Sequence, residues 1–316
     1  MCIRDRSSNG QWMDGEISNV RITKGQALYT SSFTVTTSPL TTTSQGATAS
    51  NVKLLCCNSS SPTGNTVAPH SISYDGDPTA SSVTVNGFST GAIDFDGTDD
   101  FIYTSHSNDY DFDSDDFTIE AWIYPTNATQ TDPSMITLWN FPDGRRSWAI
   151  FGNTGGSPAT YNGSVRGAVS PDGQFATRTE ISGTLTLNSW NHVAFTRSGN
   201  TLNFFINGTS QGTASYTGTV YSNTQDGVLI GAMGDSTDDR NNFVGKVSNV
   251  RVVRGQALYT SNFTSPTSAL TTTSQSATAS NVKLLCCQSS SSIIEADVSP
   301  SSIFNEGTVA DTDNPF

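Results

Sequence analysis

The sequence predicts an all-β protein, built as a two-sheet antiparallel sandwich or jelly roll, and three observations support that fold class. Charged residues are only 14% of the 316 residues, and 45 Ser and 44 Thr stand in place of the Ala, Leu, Glu and Lys that helices prefer. Short runs of β-branched and aromatic residues are separated by turn signals. No window of 12 residues repeats its apolar residues with the helical period of about 3.6.

The first strands predicted for the core are residues 117–124, 135–140 and 148–152. In the first of these, FTIEAWIY, apolar residues occupy every second position, which is typical of a strand with one buried face. The other two flank the turn sequence Pro142-Asp143-Gly144, so they are predicted to form a hairpin.

The later strands are predicted in the same way. Residues 193–197 and 201–206 are split by Ser198-Gly199-Asn200, and Asn207-Gly208 supplies a second hairpin turn. Residues 243–253 alternate again between the two faces of a strand. About 200 residues of this kind are enough to bury one sizeable core.

The charge and the apolar content of the chain argue against a nucleic-acid partner and against a membrane span. Its formal charge is −13, so it lacks the basic surface that neutralises nucleic-acid phosphates. No apolar run approaches the roughly 20 residues that a membrane span requires. We therefore expect no nucleic-acid partner and no membrane span in this stretch.

An internal repeat organises the chain. Residues 17–58 match residues 247–288 without a gap at an offset of 230, and 32 of the 42 positions are identical. A weaker match follows between 67–76 and 298–307. Because Tyr, Leu, Lys and Cys agree in register, a coincidence of Ser and Thr does not explain the match.

The repeat predicts a division of the chain into parts of tandem units. Residues 1–6, MCIRDR, look like a sequencing-adapter artefact, so the natural start is expected to be missing and a signal peptide cannot be assessed. The remaining predicted parts are the tail of a preceding repeat with its linker (7–50), a complete repeat (51–280, with its core at about 88–263 and a linker at 264–280) and the start of a following repeat (281–316).

Two pairs of adjacent cysteines remain once Cys2 is set aside, Cys56-Cys57 and Cys286-Cys287. Neighbouring residues in a strand point to opposite faces, so such a pair is a poor ordinary disulfide. The spacing also differs from the C-x-x-C of zinc and redox sites. We interpret these residues as small buried hydrophobes, with disulfides between units as an alternative if the units touch.

Several motifs occur in an order that resembles a known family. FDG, FTIEAW, WNHVAFT, a strand ending in NG, LIG and F-x-G-x-x-x-x-V-R follow one another within residues 93–253. This order is similar to that of the laminin G-like, concanavalin A-like lectin/glucanase jelly roll, over about residues 51–263. The tails GQALYTSNF and LTTTSQ resemble tandem repeats of marine phage tail-fibre and virion proteins.

The resemblance implies two antiparallel sheets in a domain that binds glycans, proteins or calcium, with glucanases among its relatives. It also implies an extracellular or virion-surface location. Trp122 and Trp190 are predicted to be core aromatics, Phe95 and Gly97 to serve packing and a turn, and His192 to be structural.

Catalysis is not expected. A retaining glycosidase needs two carboxyl groups about 5 Å apart. The chain has five glutamates and none is paired with another, and Glu120 stands alone in its strand. Neither a G-x-S-x-G motif nor a nucleotide fingerprint is present.

Calcium is the one cofactor that the sequence suggests, because Asp-rich loops can supply the six to eight oxygen ligands that it takes. The first candidate group surrounds the FDG turn and the second follows the LIG strand, where pentraxin-type relatives carry ligands; the alternative for both is solvated turn aspartates. The candidate ligands are Asp96, Asp99, Asp100, Asp235, Asp238 and Asp239.

A glycan site would use exposed aromatic rings with polar groups nearby. The candidates are clustered around the Pro-Asp-Gly hairpin: Trp139, Phe141, Asp143, Arg145, Arg146, Trp148 and Tyr161. The two tryptophans could equally be core residues, and the two arginines could pair with Asp-rich loops.

The function predicted from these observations is a non-catalytic carbohydrate-binding or adhesion module of a repetitive phage tail-fibre or cell-surface protein. Its partners would be glycans or a surface polysaccharide and the neighbouring repeats of the chain. A structural spacer or decoration domain is the alternative, and a glucanase-like hydrolase is the least favoured.

Overall fold

The computed structural model describes residues 72–75, 79–85, 88–141, 143–234 and 239–300, and the side chains of 90–141, 143–234 and 241–300. All of them belong to one compact unit that spans His70–Glu306. The strands in chain order are β1 (Ile72–Asp75), β2 (Thr79–Val85), β3 (Phe88–Asp96), β4 (Phe101–Thr104), β5 (Phe117–Pro125), β6 (Thr129–Gln130), β7 (Ser134–Asn140), β8 (Arg145–Gly152), β9 (Ala159–Thr160), β10 (Ser164–Gly173), β11 (Thr179–Thr184), β12 (Asn191–Ser198), β13 (Thr201–Ile206), β14 (Thr209–Ser215), β15 (Leu229–Ile230), β16 (Met233–Gly234), β17 (Asp239–Arg240), β18 (Val244–Arg254), β19 (Val282–Cys286) and β20 (Ala296–Val298).

The predicted all-β class is confirmed. The helical segments of the described residues are single 3₁₀ turns at Asn108–Tyr110, Ser274–Ser276 and Ala279–Asn281. None of the helices in the described part of the chain has the length and apolar character that a membrane crossing requires.

Two large sheets form the sandwich. The seven-stranded sheet has the order β1-β4-β15-β7-β8-β10-β11. The nine-stranded sheet has the order β14-β13-β12-β5-β18-β19-β20, and β3 joins it by pairing with β18 and β2. The pairings are antiparallel throughout the described ladders.

One apolar core lies between these sheets. The alternate residues of β5 from Phe117 to Ile123 are fully buried in it, as their period of two predicts. Trp148 of the facing sheet stacks on Phe112, with 5.4 Å between ring centroids, and Phe112 stacks on Phe117 at 4.5 Å. Burial of such rings is the main stabilising contribution to the sandwich.

The outer face of the nine-stranded sheet is also covered, by the chain that follows β18. The hydroxyl of Thr118 donates to the carbonyl of Gln256 (3.0 Å), and that of Thr196 donates to the carbonyl of Tyr259 (2.8 Å). Leu270 and Ala277 are buried in an apolar cluster with Val253 and Leu285. Residues 264–280, predicted to be an exposed linker, therefore pack on the domain.

Strand β19 belongs to the nine-stranded sheet, next to β18. It pairs with β18 from Val250↔Cys286 to Val253↔Val282, and Leu284 lies in the main core. The sequence placed a unit boundary at residue 281, but the described residues 281–298 complete the sandwich of residues 88–263. The repeat copy at 17–58 lies outside the described residues.

Candidate functional site

Two turns of the seven-stranded sheet lie side by side at one end of the sandwich. The β7–β8 turn, described at Phe141, Asp143 and Gly144, and the β10–β11 turn (174–178) meet at Gly173, whose φ is +81°. A Cβ at Gly173 would lie 2.1 Å from the carbonyl oxygen of Gly144, so only glycine permits this approach. We call these two turns, with the adjoining residues Arg145 and Arg146, the aromatic rim.

The aromatic rim carries two exposed rings, one on each turn. Phe141 is 49% exposed and Phe175 is 41% exposed, and they are the exposed large hydrophobic side chains among the described residues. The guanidinium of Arg146 lies 4.8 Å from the centroid of the Phe141 ring, and that of Arg178 lies 3.6 Å from the centroid of the Phe175 ring. Cation–π attraction thus holds each ring in place.

The arginines also fix the backbone of the rim. Arg146 is nearly buried and donates to the carbonyls of Gly173 (3.1 Å) and Phe141 (2.6 Å), so it ties the two turns together. Burial lowers the pKa of Arg146 from its ordinary value. Arg178 donates to the carbonyl of Phe175 at 2.7 Å. The backbone at both rings is therefore held by hydrogen bonds from an arginine.

The charge of Arg145 is compensated by two carboxylates. Arg145 donates twice to Asp226, at 2.8 and 2.9 Å, and lies 2.6 Å from Asp143. The hydrogen bond with Asp226 raises the pKa of Arg145. Asn223 supports this pair by donating to Asp226 at 2.8 Å and to the backbone carbonyl of Arg145 at 2.9 Å.

A second ion pair lies beside Phe175. Glu180 accepts from Arg178 at 2.6 Å and from Arg166 at 3.0 Å. Burial opposes ionisation of Glu180, but the hydrogen bonds and charges of these two arginines hold its pKa below the ordinary value. The rim therefore offers two apolar rings beside Arg145 and Arg178, whose charges are compensated by carboxylates.

Four of the predicted ligand-binding residues are brought together in the rim: Phe141, Asp143, Arg145 and Arg146. The other three are buried, so they are removed from the site. Trp148 lies in the sandwich core and donates to the carbonyl of Tyr110 at 3.0 Å. Trp139 packs with Phe151 in a separate cluster. Tyr161 is buried and donates to the carbonyl of Ser164 at 2.8 Å.

Phe175 and Arg178 were not predicted as site residues. A signal for them exists, because the sequence Pro-Asp-Gly at 142–144 occurs again at 171–173, and each copy has a Phe and an Arg within five residues of it. Both turns bend at a glycine with positive φ, Gly144 at +68° and Gly173 at +81°. The repeated turn sequence thus marks both halves of the rim.

The first group of predicted calcium ligands is also brought together. Carboxylate oxygens of Asp96, Asp99 and Asp100 all lie within 4.8 Å of one another. Asp96 and Asp99 are exposed and Asp100 is buried. The loop is held by hydrogen bonds from the amide of Thr98 to Asp96 (2.7 Å) and from the amide of Asp96 to Asp100 (3.1 Å).

The second group of predicted calcium ligands lies outside what the structure describes. Asp235 and Asp238 fall between the described strands β16 and β17. Asp239 begins β17, but its side chain is not among those described.

Comparison with known protein families decides the class of the domain. Residues 96–258, slightly more than half of the chain, match the family model described as the concanavalin A-like lectin/glucanases superfamily. The chain belongs to this superfamily. No curated protein sequence matches the chain significantly.

Several solved structures are similar to this lectin-like domain at low identity. The binding domain of Paraclostridial mosquitocidal protein 1 is 14% identical with a TM-score of 0.38, and the match covers 53% of this chain and 42% of that one. The binding domain of botulinum neurotoxin serotype G is 13% identical with a TM-score of 0.43, covering 65% and 46%. Domain 4 of an extracellular arabinanase from Geobacillus stearothermophilus, in complex with arabinotriose, is 13% identical with a TM-score of 0.38, covering 57% and 83%. The chain thus spans less than half of the length of the first two proteins.

Glu120 is the one glutamate in strand β5, and it is fully buried. Its carboxylate accepts from Arg251 (2.6 and 2.8 Å), from Tyr259 (2.8 Å) and lies 3.1 Å from Nε2 of His192. Glu120, His192 and Arg251 are fully buried. Burial opposes ionisation of Glu120, yet the hydrogen bond with His192 and the charge of Arg251 lower its pKa. The cluster therefore joins the sheet to the covering segment.

His192 is fully buried, and Trp122 is buried beside it, with 5.2 Å between ring centroids. Trp190 differs from the prediction. It is only partly buried and packs edge-on against Tyr124 at 5.6 Å, because it precedes β12 in a loop.

Proposed function

We propose that this chain is a non-catalytic carbohydrate-binding module that holds its ligand on the aromatic rim. The observation that carries the proposal is the pair of exposed rings, Phe141 and Phe175, each fixed by an arginine on adjacent turns. Membership in a superfamily of lectins and glucanases supports a glycan as the ligand. Apolar C–H faces of sugars pack well on aromatic faces, whose π-systems carry partial negative charge.

The compensated charges support a neutral polysaccharide as the ligand. Arg145 is engaged by Asp226 and Asp143, and Arg178 is engaged by Glu180. An acidic sugar would have to compete with these carboxylates for the guanidinium groups. Two rings on neighbouring turns suit contact with successive sugar residues of a chain better than contact with one terminal sugar.

The proposal is tested by measuring glycan binding with Phe141→Ala and Phe175→Ala variants. A glycan array of neutral and acidic polysaccharides identifies the ligand, and calorimetry then gives its dissociation constant. Loss of one central aromatic contact costs about 1–2 kcal/mol or more, so each substitution is expected to weaken binding about tenfold.

The matched control is Thr160→Ala, because Thr160 is an exposed residue of β9, which comes before the start of β10, whereas the rim lies at the end of β10. Its binding should equal that of the unaltered protein. If both phenylalanine variants bind the glycan as tightly as the unaltered protein, the binding site lies outside the rim. Absence of saturable binding to any glycan would favour the alternative function, a structural spacer or decoration domain.

The absence of catalysis is part of the same proposal. Burial of Glu120 beneath residues 256–274 supports it, because a substrate cannot reach that carboxylate. Release of reducing sugar from a β-glucan by the purified protein, lost in a Glu180→Gln or Asp143→Asn variant, would overturn it.

We propose calcium as a separate ligand of the Asp96 loop. The clustering of three carboxylates within 4.8 Å supports this, because calcium accepts flexible sets of oxygen ligands. Calcium should raise the melting temperature of the protein and a chelator should reverse the rise. Asp96→Asn with Asp99→Asn should abolish the response, whereas Asp109→Asn should leave it intact. An unchanged melting temperature in calcium would remove this site.

The wider setting is also a proposal. The identity of 32 of 42 positions between 17–58 and 247–288 supports a repetitive fibre or surface protein, located outside the cell or on a virion, with the neighbouring repeats as partners. Sequencing the complete open reading frame tests it. Further copies of the repeat would support a fibre, and their absence would contradict it.

A further inference from the structure

Two adjacent thiols meet inside the sandwich. Cys286 and Cys287 are both buried in the main core, and their Sγ atoms lie 3.5 Å apart. Neighbouring residues in a regular strand would point to opposite faces. Here β19 ends at Cys286, and Cys287 has a φ of +61°, in the left-handed region. This bend of the backbone turns both thiols to the same side.

We propose that Cys286 and Cys287 form a redox site, in which a small-molecule disulfide oxidises the two adjacent thiols to an intramolecular disulfide. The Sγ separation has to shorten to about 2.05 Å, which rotation of the two side chains supplies once the backbone has turned. Because adjacent Cα atoms are only about 3.8 Å apart, below the usual range for disulfides, the bond would be strained and easily reduced. The site is therefore reversible.

The surrounding backbone holds this turn in place. The amide of Asn249 donates to the carbonyl of Cys287 at 3.1 Å, and the amide of Gly91 donates to the carbonyl of Gln288 at 2.8 Å. A Cβ at Gly91 would lie 1.9 Å from the carbonyl oxygen of Ser289. The turn is thus anchored to strands β18 and β3 at Cys287 and at the residues that follow it.

A cleft opens beside Cys286, which is itself 2% exposed. It has a volume of about 280 Å³ and is lined by Cys286 together with Gln288, Ser289, Ser290, Glu295 and Asp297. Cys287 is not among the residues that line the cleft. Burial together with the neighbouring Cys286 raises the pKa of the Cys287 thiol. Cys286 is therefore the thiol that reacts first, and Cys287 is the thiol that resolves the intermediate.

The exchange balances without any further reactant. The Cys286 thiolate attacks one sulfur of the reagent, breaks its S–S bond and releases one thiol. Cys287 then attacks the Cys286 sulfur of the mixed disulfide and releases the second thiol. The two protein thiols lose two electrons and two protons, and the reagent takes them up as two thiols.

The cleft also predicts which reagents react fastest. Two carboxylic side chains, Glu295 and Asp297, contribute to its lining. Cationic cystamine should react faster than neutral 2-hydroxyethyl disulfide, and anionic oxidised glutathione should be slowest. Because the resolving thiol has a raised pKa, the rate should increase with pH.

The test uses the full chain. Trypsin places the two cysteine pairs in different peptides, so each pair can be followed separately. Peptide 284–316 contains Cys286 and Cys287, peptide 54–145 contains Cys56 and Cys57, and Cys2 lies near the N-terminus. The folded protein is treated with each reagent, free thiols are alkylated, and the digest is analysed without reduction. We expect peptide 284–316 to be lighter by two hydrogen atoms, without alkyl groups, and to recover both thiols in dithiothreitol.

The Cys287→Ser variant should stop at a mixed disulfide on Cys286, and tryptophan fluorescence checks that each sample is folded. Three results in the unaltered folded protein would each overturn the proposal: alkylation of both cysteines after treatment, a persistent mixed disulfide, or a bond from peptide 284–316 to another cysteine peptide. The measurement on the unaltered chain decides the question even if the variant does not fold.

Discussion

At the scale of single residues, the charge of the buried Glu120 carboxylate is stabilised by its neighbours. It is fully buried on the outer face of β5 and meets Arg251, Tyr259 and His192 there. Arg251 in turn donates to the carbonyls of Thr271 and Ser274, at 2.6 and 3.0 Å. A buried ion pair has little net value as a unit, but removing one partner leaves an uncompensated charge in the interior.

Glu120→Gln is therefore expected to destabilise the protein by about 3–5 kcal/mol. For a domain of this size, the melting temperature should fall by roughly 10 °C. The measurement is thermal unfolding followed by circular dichroism or calorimetry.

The control for this variant is Lys283→Gln, which removes a partly exposed ion pair with Asp109 at 3.5 Å. A pair of that kind contributes about 0–1 kcal/mol. Equal melting temperatures for both variants would contradict the role assigned to Glu120.

The same carboxylate predicts an acid sensitivity. The pKa of Glu120 in the folded protein is lowered from its ordinary value of 4.5, and that of Glu180 is lowered as well. A lowered pKa gives stability that is complete above the unfolded value and is lost as the pH falls through the folded value. The free energy of unfolding should thus decrease below about pH 4.5, measured by urea unfolding across the acid range, with a smaller decrease in Glu120→Gln.

At the scale of elements, the aromatic rim depends on how closely two turns approach each other. Gly173 carries a positive φ, and the carbonyl of Gly144 occupies the space where its Cβ would be. Arg146 bridges the same turns through the carbonyls of Gly173 and Phe141. A change at Gly173 therefore alters both the backbone and the spacing of the rings.

Gly173→Ala is expected to destabilise the protein by about 1–3 kcal/mol and to weaken glycan binding. Gly155→Ala is the matched control, because Gly155 has a similar φ of +77° but no atom within 4 Å of the added Cβ. The difference in unfolding free energy between these variants isolates the clash with Gly144. No difference would mean that the turns can separate freely.

At the scale of the whole molecule, the sandwich depends on chain that the sequence assigned to another unit. Leu284 and Cys286 of β19 lie in the main core, and β19 pairs with four residues of β18. A protein that ends at residue 280 would expose these strand edges and lose that apolar burial.

A chain truncated after Ser280 is therefore expected to lose cooperative unfolding or to aggregate, whereas a chain truncated after Pro300 should stay folded. Circular dichroism and size-exclusion chromatography distinguish the two. A soluble, cooperatively folded chain that ends at residue 280 would show that β19 is dispensable.

Local sequence patterns were sufficient to predict the sandwich and part of its site. The alternation of β5 and the Pro-Asp-Gly hairpin follow from residues close in sequence, because side-chain direction in a strand has a period of two. The same hairpin predicted Phe141, Asp143, Arg145 and Arg146. Burial of Trp139, Trp148 and Tyr161 could not be predicted, because a strand leaves open which of its faces another layer covers.

The sequence by itself determined the fold class, the superfamily and one half of the aromatic rim. Only the tertiary structure decided that Phe175 joins Phe141, that β19 completes the preceding sheet, and that Cys286 and Cys287 share one side of the chain. The physical reason is the same in each case. Each of these arrangements depends on the order of the strands in the sheet or on a left-handed turn. Hydrophobic periodicity encodes neither of them.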